Sequence, residues 1–478
     1  VSATRSALLF SFTEKYALML IGLGGSMVLA RLLTPREVGV YSVAAVLVGL
    51  LHVLRDFGIG QYLVQERALD TARLRAVLAA SLLLAWPLAA LIAGASGVAA
   101  RFYGEPRLLP VLQLMALNFA LLPFSALALP MLRRALRFGA ICAINLSYGL
   151  AHLAVGVLLA WQGFGFMSLA WAALAGNLAA LLASLCLRPP GMPWRPACTG
   201  LRAVLGFGLY ATGGNLVDEA GTAAPDLIIG KSLGMDAVGI FGKAGGVLAV
   251  FHQAIGSAVA PVVYALYAER ARSDGDVGDA YLRTVGYMTA FAWPFYAFVA
   301  LMAAPIVRLL YGDQWDATVP LIRIMCCSSA LYSMSSMARY LFLATGHVKT
   351  QARIDTLAVP PRVVALLLAA PHGLTALAWA VVFGSVARAW LTLHHLRRCQ
   401  RIALADIARH ARASVLLAAL VTLPPGVMLA AGTPDLARLA LAALLSLLLW
   451  LAGIALLRHA LFDELLLARR KLAASLSW

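Results

Sequence analysis

Residues 30–44 (ARLLTPREVGVYSVA) and residues 230–244 (GKSLGMDAVGIFGKA) lie about 200 positions apart and read as one pattern. Leu33 aligns with Leu233, Val38 with Val238, Gly39 with Gly239 and Tyr41 with Phe241, and His52 further on stands opposite His252. The order of landmarks then continues. Trp86-Pro87 matches Trp293-Pro294, the corner Tyr103-Gly104-Glu105 matches Tyr311-Gly312-Asp313, and Pro110 with Met115 matches Pro320 with Met325. Colinear landmarks over this distance mark an internal duplication. Between equivalent points lie six apolar runs, an even number, so both repeats enter a membrane from the same side. An axis along the membrane normal then relates them.

The medium is set by composition. Of 478 residues 62% are hydrophobic and 12% charged, and the mean hydropathy is +0.86; a soluble domain carries roughly 25% charged residues. Apolar runs of about 20 residues recur from end to end, each able to cross a hydrocarbon layer about 30 Å thick. They lie near 7–31, 37–57, 75–97, 108–130, 140–161 and 165–187, then 203–229, 237–264, 284–307, 319–344, 355–371 and 374–395, and finally 412–431 and 435–457. The expected fold is therefore an all-α polytopic membrane protein with about fourteen transmembrane helices. Residues 1–190 form one six-helix lobe, 191–400 a second of parallel orientation, and 401–478 an additional helix pair with a cytoplasmic tail. The first run is too long for the apolar core of a signal peptide, and no small-residue cleavage site follows it, so it is expected to stay as a membrane helix.

The net charge of +17 arises from Lys and Arg in short clusters between the apolar runs. That is the distribution of topology signals; a nucleic-acid surface gathers its cations on one solvated face. A cytoplasmic N terminus puts about 25 Lys and Arg on inner loops and about six on outer ones, with both termini inside. The six cysteines, Cys142, Cys186, Cys198, Cys326, Cys327 and Cys399, form no C-x-x-C pair, which points to free thiols rather than a disulfide framework or a metal site.

Charge inside a membrane costs about 3 kcal/mol or more per ionised group, so such residues are functional candidates by default. They are Glu14 and Lys15 in the first run, Arg55 and Asp56 at the end of the second, Asp218, Glu219 and Asp226 in the seventh, Lys243 in the eighth, Arg323 and Arg339 in the tenth, and Arg362 in the eleventh. Each has a plainer reading. Arg55 and Asp56 suit a snorkelling pair at a helix end, Lys243 an interfacial anchor, and Asp226 a local partner for Lys231. His52 and His252 suit a proton relay or, more simply, hydrogen-bonded packing. The phosphate loop of an ATP-driven pump is absent from the sequence, as are H-E-x-x-H and a nucleophile elbow, and no large soluble segment offers room for catalysis. These absences favour a secondary transporter over an enzyme.

Residues 29–65 (LARLLTPREVGVYSVAAVLVGLLHVLRDFGIGQYLVQ) resemble the opening signature of the polysaccharide-export flippases of the multidrug/oligosaccharidyl-lipid/polysaccharide (MOP) exporter superfamily. Residues 225–244 (PDLIIGKSLGMDAVGIFGKA) resemble their second-lobe signature, and the duplicated layout extends the likeness over essentially the whole chain. The resemblance implies two six-helix lobes and flipping of undecaprenyl-pyrophosphate-linked oligosaccharide repeat units across the bacterial inner membrane, for exopolysaccharide, capsule or O-antigen synthesis. The implied partners are that lipid-linked oligosaccharide, membrane lipid, a polysaccharide polymerase and glycosyltransferases, with no nucleic acid and no cofactor.

On this reading Lys15, Arg55, Lys243 and Arg339 are the cations for pyrophosphate or acidic sugars. Glu14, Asp56, Asp218, Glu219 and Asp226 balance them or bind a coupling H+ or Na+. A drug/cation antiporter and a peptidoglycan-precursor flippase share the architecture. The corner Leu33-Thr34-Pro35 followed by Asp56-Phe57-Gly58-Ile59-Gly60-Gln61 favours the polysaccharide branch. A membrane enzyme or ligase acting on the same lipid is the alternative from another class.

Overall fold

The computed structural model describes residues 2–462 apart from 57, 61, 62, 64–69, 190, 191, 194, 198, 200, 274, 433–435 and 458–460; for 2–9, 11, 202–215 and 218 it describes the backbone alone. Cys198 and the side chain of Asp218 thus lie outside the described residues. The described residues hold helices and no strand, and thirteen helical segments among them are long and apolar enough to span a membrane. The run expected at 203–229 falls in the helix Leu201–Ser232, much of which is described as backbone only. The chain divides into two compact units, Val1–Gly242 and Lys243–Trp478.

The first unit opens with α1 (Ser2–Leu32) and α2 (Pro35–Asp56). Then comes α3 (Thr71–Tyr103), where Asp70 caps the first turn by accepting from the backbone N–H of Arg73 at 2.7 Å. Gly104, at φ 66°, ends the same helix in the left-handed conformation that a residue without Cβ adopts most readily. The next span is broken into α4 (Leu108–Leu121), a 3-10 turn Leu122–Phe124 and α5 (Ala128–Arg134). It is followed by α6 (Phe138–Trp161), α7 (Phe166–Cys186), α8 (Leu201–Ser232) and the start of α9 (Met235–Phe251). α6 packs on both α1 and α7, α3 on α4, and α2 on α8. Small residues permit the close approaches: a methyl group on Gly156 would lie 3.1 Å from Cβ of Ala172.

The duplication is visible where α2 and α9 begin. Gly39 and Gly239 each sit four residues past the first residue of their helix, Pro35 and Met235. A methyl group on Gly39 would lie 1.8 Å from the carbonyl oxygen of Met235, and one on Gly239 would lie 2.0 Å from that of Pro35. Each repeat thus offers the other the same glycine and the same carbonyl. Only a residue without Cβ fits at either position.

In the second unit the helix begun by α9 passes through a π-helical turn, His252–Gly256, into α10 (Ser257–Arg272). α11 (Val277–Leu301) follows behind the cap Asp276, then the short α12 (Ala303–Leu310). α13 (Val319–Ser335) and α14 (Ala338–Ala344) repeat the broken span of the first unit. α15 (Val348–Ala369) and α16 (Leu374–Gln400) complete the repeat; α17 (Leu404–Val421), α18 (Leu423–Ala430) and α19 (Leu436–Leu456) come last. Polar contacts tie the last helices to α11. The hydroxyls of Thr289 and Ser414 meet at 2.9 Å, and the indole N–H of Trp450 donates to the carbonyl of Ala290 at 2.8 Å. In hydrocarbon, where apolar burial gives helices no mutual preference, such bonds and close packing decide association.

Candidate functional site

A cavity of about 720 Å³ lies within the first unit, walled by the ends of α2, α5 and α7, the middle of α3 and α6, the broken span after α4, and Glu219 from α8. The break supplies a wall because a 3-10 turn with Pro123 frees backbone groups from the helical ladder, which a membrane protein tolerates beside a polar cavity. Two cations reach it. Arg55 comes from the last turn of α2, and Arg133 from the last turn of α5, where a cation also meets the negative end of the helix dipole.

Arg55 is held on two sides. Its Nε donates to Oδ1 of Asp56 at 3.1 Å, and Nη2 donates to the same oxygen. The guanidinium lies 5.6 Å from the ring centre of Phe119, against which the His52 imidazole also packs at 4.8 Å. A guanidinium held by a carboxylate and a ring keeps further N–H donors, which suits recognition of a phosphate. The Asp56 carboxylate is exposed.

Deeper in, the lining turns neutral and polar. Asn145, seven residues past the start of α6, sits about 10 Å along that helix. Its Nδ2 donates to Oε1 of Glu14 at 2.5 Å and so ties α6 to α1. Tyr148 stands one turn further on with its ring stacked on His152 at 5.7 Å, and Gly176 of α7 makes room for it: a methyl there would lie 3.0 Å from the ring. Asn177 donates to the carbonyl of Ala173 at 3.0 Å. Ser81 of α3 is 3% exposed and borders the cavity, and its hydroxyl has no hydrogen-bond partner among the described residues.

Of the residues singled out from sequence, this cavity gathers Arg55, Asp56 and Glu219, with Glu14 one hydrogen bond behind Asn145. The rest are placed elsewhere. Lys15 lies 5.9 Å over the ring of Tyr16. His52 packs on Phe119 beside the cavity lining. Asp226 is half-buried in α8, while Lys231 turns to Phe102, donating to its carbonyl at 2.5 Å and covering its ring at 4.5 Å. Lys243 of the second unit lies over the rings of Tyr311 and Trp315, at 4.8 and 5.5 Å. His252 and Arg339 are exposed residues of that unit.

Sequence reasoning passed over Arg133, grouped with the topology anchors, and the neutral residues Ser81, Asn145, Tyr148 and Asn177. The available signal was spacing, since Asn145, Tyr148 and His152 fall at i, i+3 and i+7 on one helical face. It also passed over Asp355 and Arg388 of the second unit, a half-buried ion pair at 2.5 Å between α15 and α16. No group of three or more metal-ligating side chains occurs among the described residues.

A duplicated helical scaffold with many membrane spans and a charged, polar cavity in its first half defines a polytopic membrane protein. Residues 28–320 match the model of the family described as polysaccharide biosynthesis protein, and the chain belongs to that family. It is 22% identical over 369 residues to the lipopolysaccharide biosynthesis protein WzxC of Escherichia coli K12, an alignment covering 74% of each chain. It is 23% identical over 317 residues to the succinoglycan biosynthesis transport protein ExoT of Rhizobium meliloti, covering 65% of this chain and 63% of that one. Among solved structures, the inward closed lipid II flippase MurJ aligns with a TM-score of 0.79 at 13% identity, over 95% of this chain and 100% of that chain. An inward-facing multidrug resistance transporter of the MATE family aligns with a TM-score of 0.68 at 14% identity, over 80% and 94%. At these identities the likeness shows the fold, which this chain shares with both transporters. With transport proteins among both its relatives and its fold neighbours, the chain is a transporter rather than an enzyme.

Proposed function

We propose that the protein flips undecaprenyl-pyrophosphate-linked oligosaccharide from the cytoplasmic to the periplasmic leaflet of the bacterial inner membrane, by alternating access and with both termini cytoplasmic. The observation that carries this reading is the pairing of Arg55 and Arg133 at the helix ends of a polar cavity in a chain of the polysaccharide biosynthesis family. A pyrophosphate concentrates negative charge, and two guanidinium groups in a poorly screened site bind it through charge-assisted hydrogen bonds. Asp56 and Glu219 line the same cavity and offset the charge of these cations. Glu14, joined to Asn145, is the candidate for a coupling H+ or Na+.

Leaflet assignment tests the proposal. In a strain lacking the gene, a periplasm-restricted enzyme that labels or cleaves the headgroup should find no lipid-linked oligosaccharide until the protein is restored. Headgroups that reach the periplasm without it, with only later processing failing, would transfer the assignment to a membrane ligase.

A further inference from the structure

The cavity of the first unit makes no use of α16, whose exposed face is ordered from end to end. Trp379, Phe383, Val386 and Trp390 recur at i, i+4, i+7 and i+11, the spacing that sets side chains along one side of a helix. All four are 49% to 64% exposed on a helix apolar enough to span a membrane, so the stripe faces hydrocarbon. The same stripe then changes character. His394 follows with its ring stacked on that of Trp390 at 5.7 Å, and Arg397 and Arg401 come next on that side, both exposed. Arg401 caps the helix, its backbone N–H donating to the carbonyl of Leu396. Counted from Leu374, Trp390 lies about 24 Å and Arg397 about 35 Å along the helix. A hydrocarbon layer about 30 Å thick ends between them. Among the described residues no side chain or carbonyl binds the guanidinium of Arg397 or Arg401.

The first repeat supplies the control. Aligning Gly176 of α7 with Gly384 of α16 puts Trp171, Leu178 and Leu182 opposite Trp379, Val386 and Trp390, and they too are exposed. The hydrocarbon-facing stripe is common to both repeats. Its cationic end belongs to the second alone: Pro189 and Pro193 stand where the second repeat has Arg397 and Arg401. Arg188, at that end of the first repeat, donates to the carbonyls of Met192 and Pro193. A topology signal needs positive charge in the loop and nothing more. It does not need the charge to continue an aromatic stripe.

We propose that this face of α16 binds an anionic phospholipid, with its acyl chains along Trp379, Phe383, Val386 and Trp390 and its phosphate on Arg397 and Arg401. Trp390, with His394 stacked on it, marks the level at which acyl chain gives way to headgroup. Two guanidinium forks match phosphate oxygens, whereas a choline headgroup brings a cation of its own to the same place. The assignment depends on the bilayer and not on the cavity, so it holds whatever cargo the protein carries.

Photo-crosslinking of the full-length protein in nanodiscs tests it, using phosphatidylglycerol and phosphatidylcholine probes with the same photoactivatable acyl chain. Peptide mass spectrometry reads the labelling of α7 and α16 in one sample. The two probes should label α7 equally, and phosphatidylglycerol should label α16 about fivefold or more over phosphatidylcholine, the attraction of one cation to an anionic surface setting the lower bound. Arg397→Gln with Arg401→Gln should remove that preference, and Arg397→Lys with Arg401→Lys should keep most of it, with labelling of α7 unchanged in both. Equal preference on α7 and α16 in wild type, or a preference that survives the double glutamine variant, would overturn the proposal. So would loss of the preference in inorganic phosphate but not in chloride of equal ionic strength, which would give the arginines a free anion. Displacement of both probes from α16 by undecaprenyl pyrophosphate would hand the face to a polyprenyl lipid, and no labelling of α16 by either probe would mean that a second copy of the chain covers it.

Discussion

Asn145 and Asp355 stand at the same point of the two repeats, each seven residues past the start of its helix, and they meet different neighbours. In the first repeat Asn145 reaches Glu14 of α1 and borders an open cavity. In the second, Asp355 is closed off: Arg388 of α16 binds it at 2.5 Å, and Gln351 donates to both its oxygens at 3.0 and 2.9 Å. The scaffold around them is shared. Gly176 and Gly384 each lie ten residues into the following helix, and each makes room for a side chain of the helix before it, the Tyr148 ring in one case and the Arg362 stem in the other. Duplication has preserved the helix packing while the polar chemistry has diverged, with an accessible site in one hairpin and an internal ion pair in its counterpart.

The largest effect expected from disturbing this contrast comes from the second hairpin. Arg388→Leu strands the Asp355 carboxylate and should destabilise the protein by about 3–5 kcal/mol, whereas the double change with Asp355→Leu should recover most of the loss. Thermal unfolding in detergent checks both. A single variant as stable as wild type would show that the hairpin does not depend on the pair.

In the first hairpin the corresponding loss is functional rather than structural. Arg55→Gln and Arg133→Gln should each weaken lipid pyrophosphate binding by about 1.5–3 kcal/mol, the range for hydrogen bonds to charged groups, with unfolding temperatures near that of wild type. Titration with undecaprenyl pyrophosphate measures it.

The seam between the repeats sharpens the comparison, because there they remain equivalent. Gly39→Ala and Gly239→Ala should cost similar amounts, about 1–3 kcal/mol each, since each methyl meets a backbone carbonyl that cannot swing aside. Unequal costs in thermal unfolding would mean that the two glycines carry different loads. The smallest effect is expected at Lys243. Held over Tyr311 and Trp315, it should lose about 0.5–1 kcal/mol of stability on change to Met, with transport retained.

Much of the fold was legible because hydrocarbon imposes length and polarity on every span, and because the repeat left matching punctuation at Gly39 and Gly239, and at Gly104 and Gly312. The site was legible in part. Arg55, Asp56 and Glu219 stood out because charge in a membrane is costly, and the structure puts them on one cavity. Ser81, Asn145 and Asn177 did not stand out, since serine and asparagine are ordinary in packed membrane helices and only the tertiary fold brings them to one cavity. The setting of Lys243 was not legible for a related reason: the rings that receive it lie some seventy residues further along the chain.

The central claim is that the cavity of the first repeat carries lipid-linked glycan across the membrane, and reconstitution tests it most directly. Proteoliposomes loaded on one leaflet with the lipid-linked oligosaccharide from the gene-deleted strain would be assayed for headgroup appearing on the other. The account predicts transfer with wild type and none above protein-free vesicles with the double variant Arg55→Gln and Arg133→Gln, inserted in equal amount. Transfer at the wild-type rate by that double variant, or none by wild type, would contradict it.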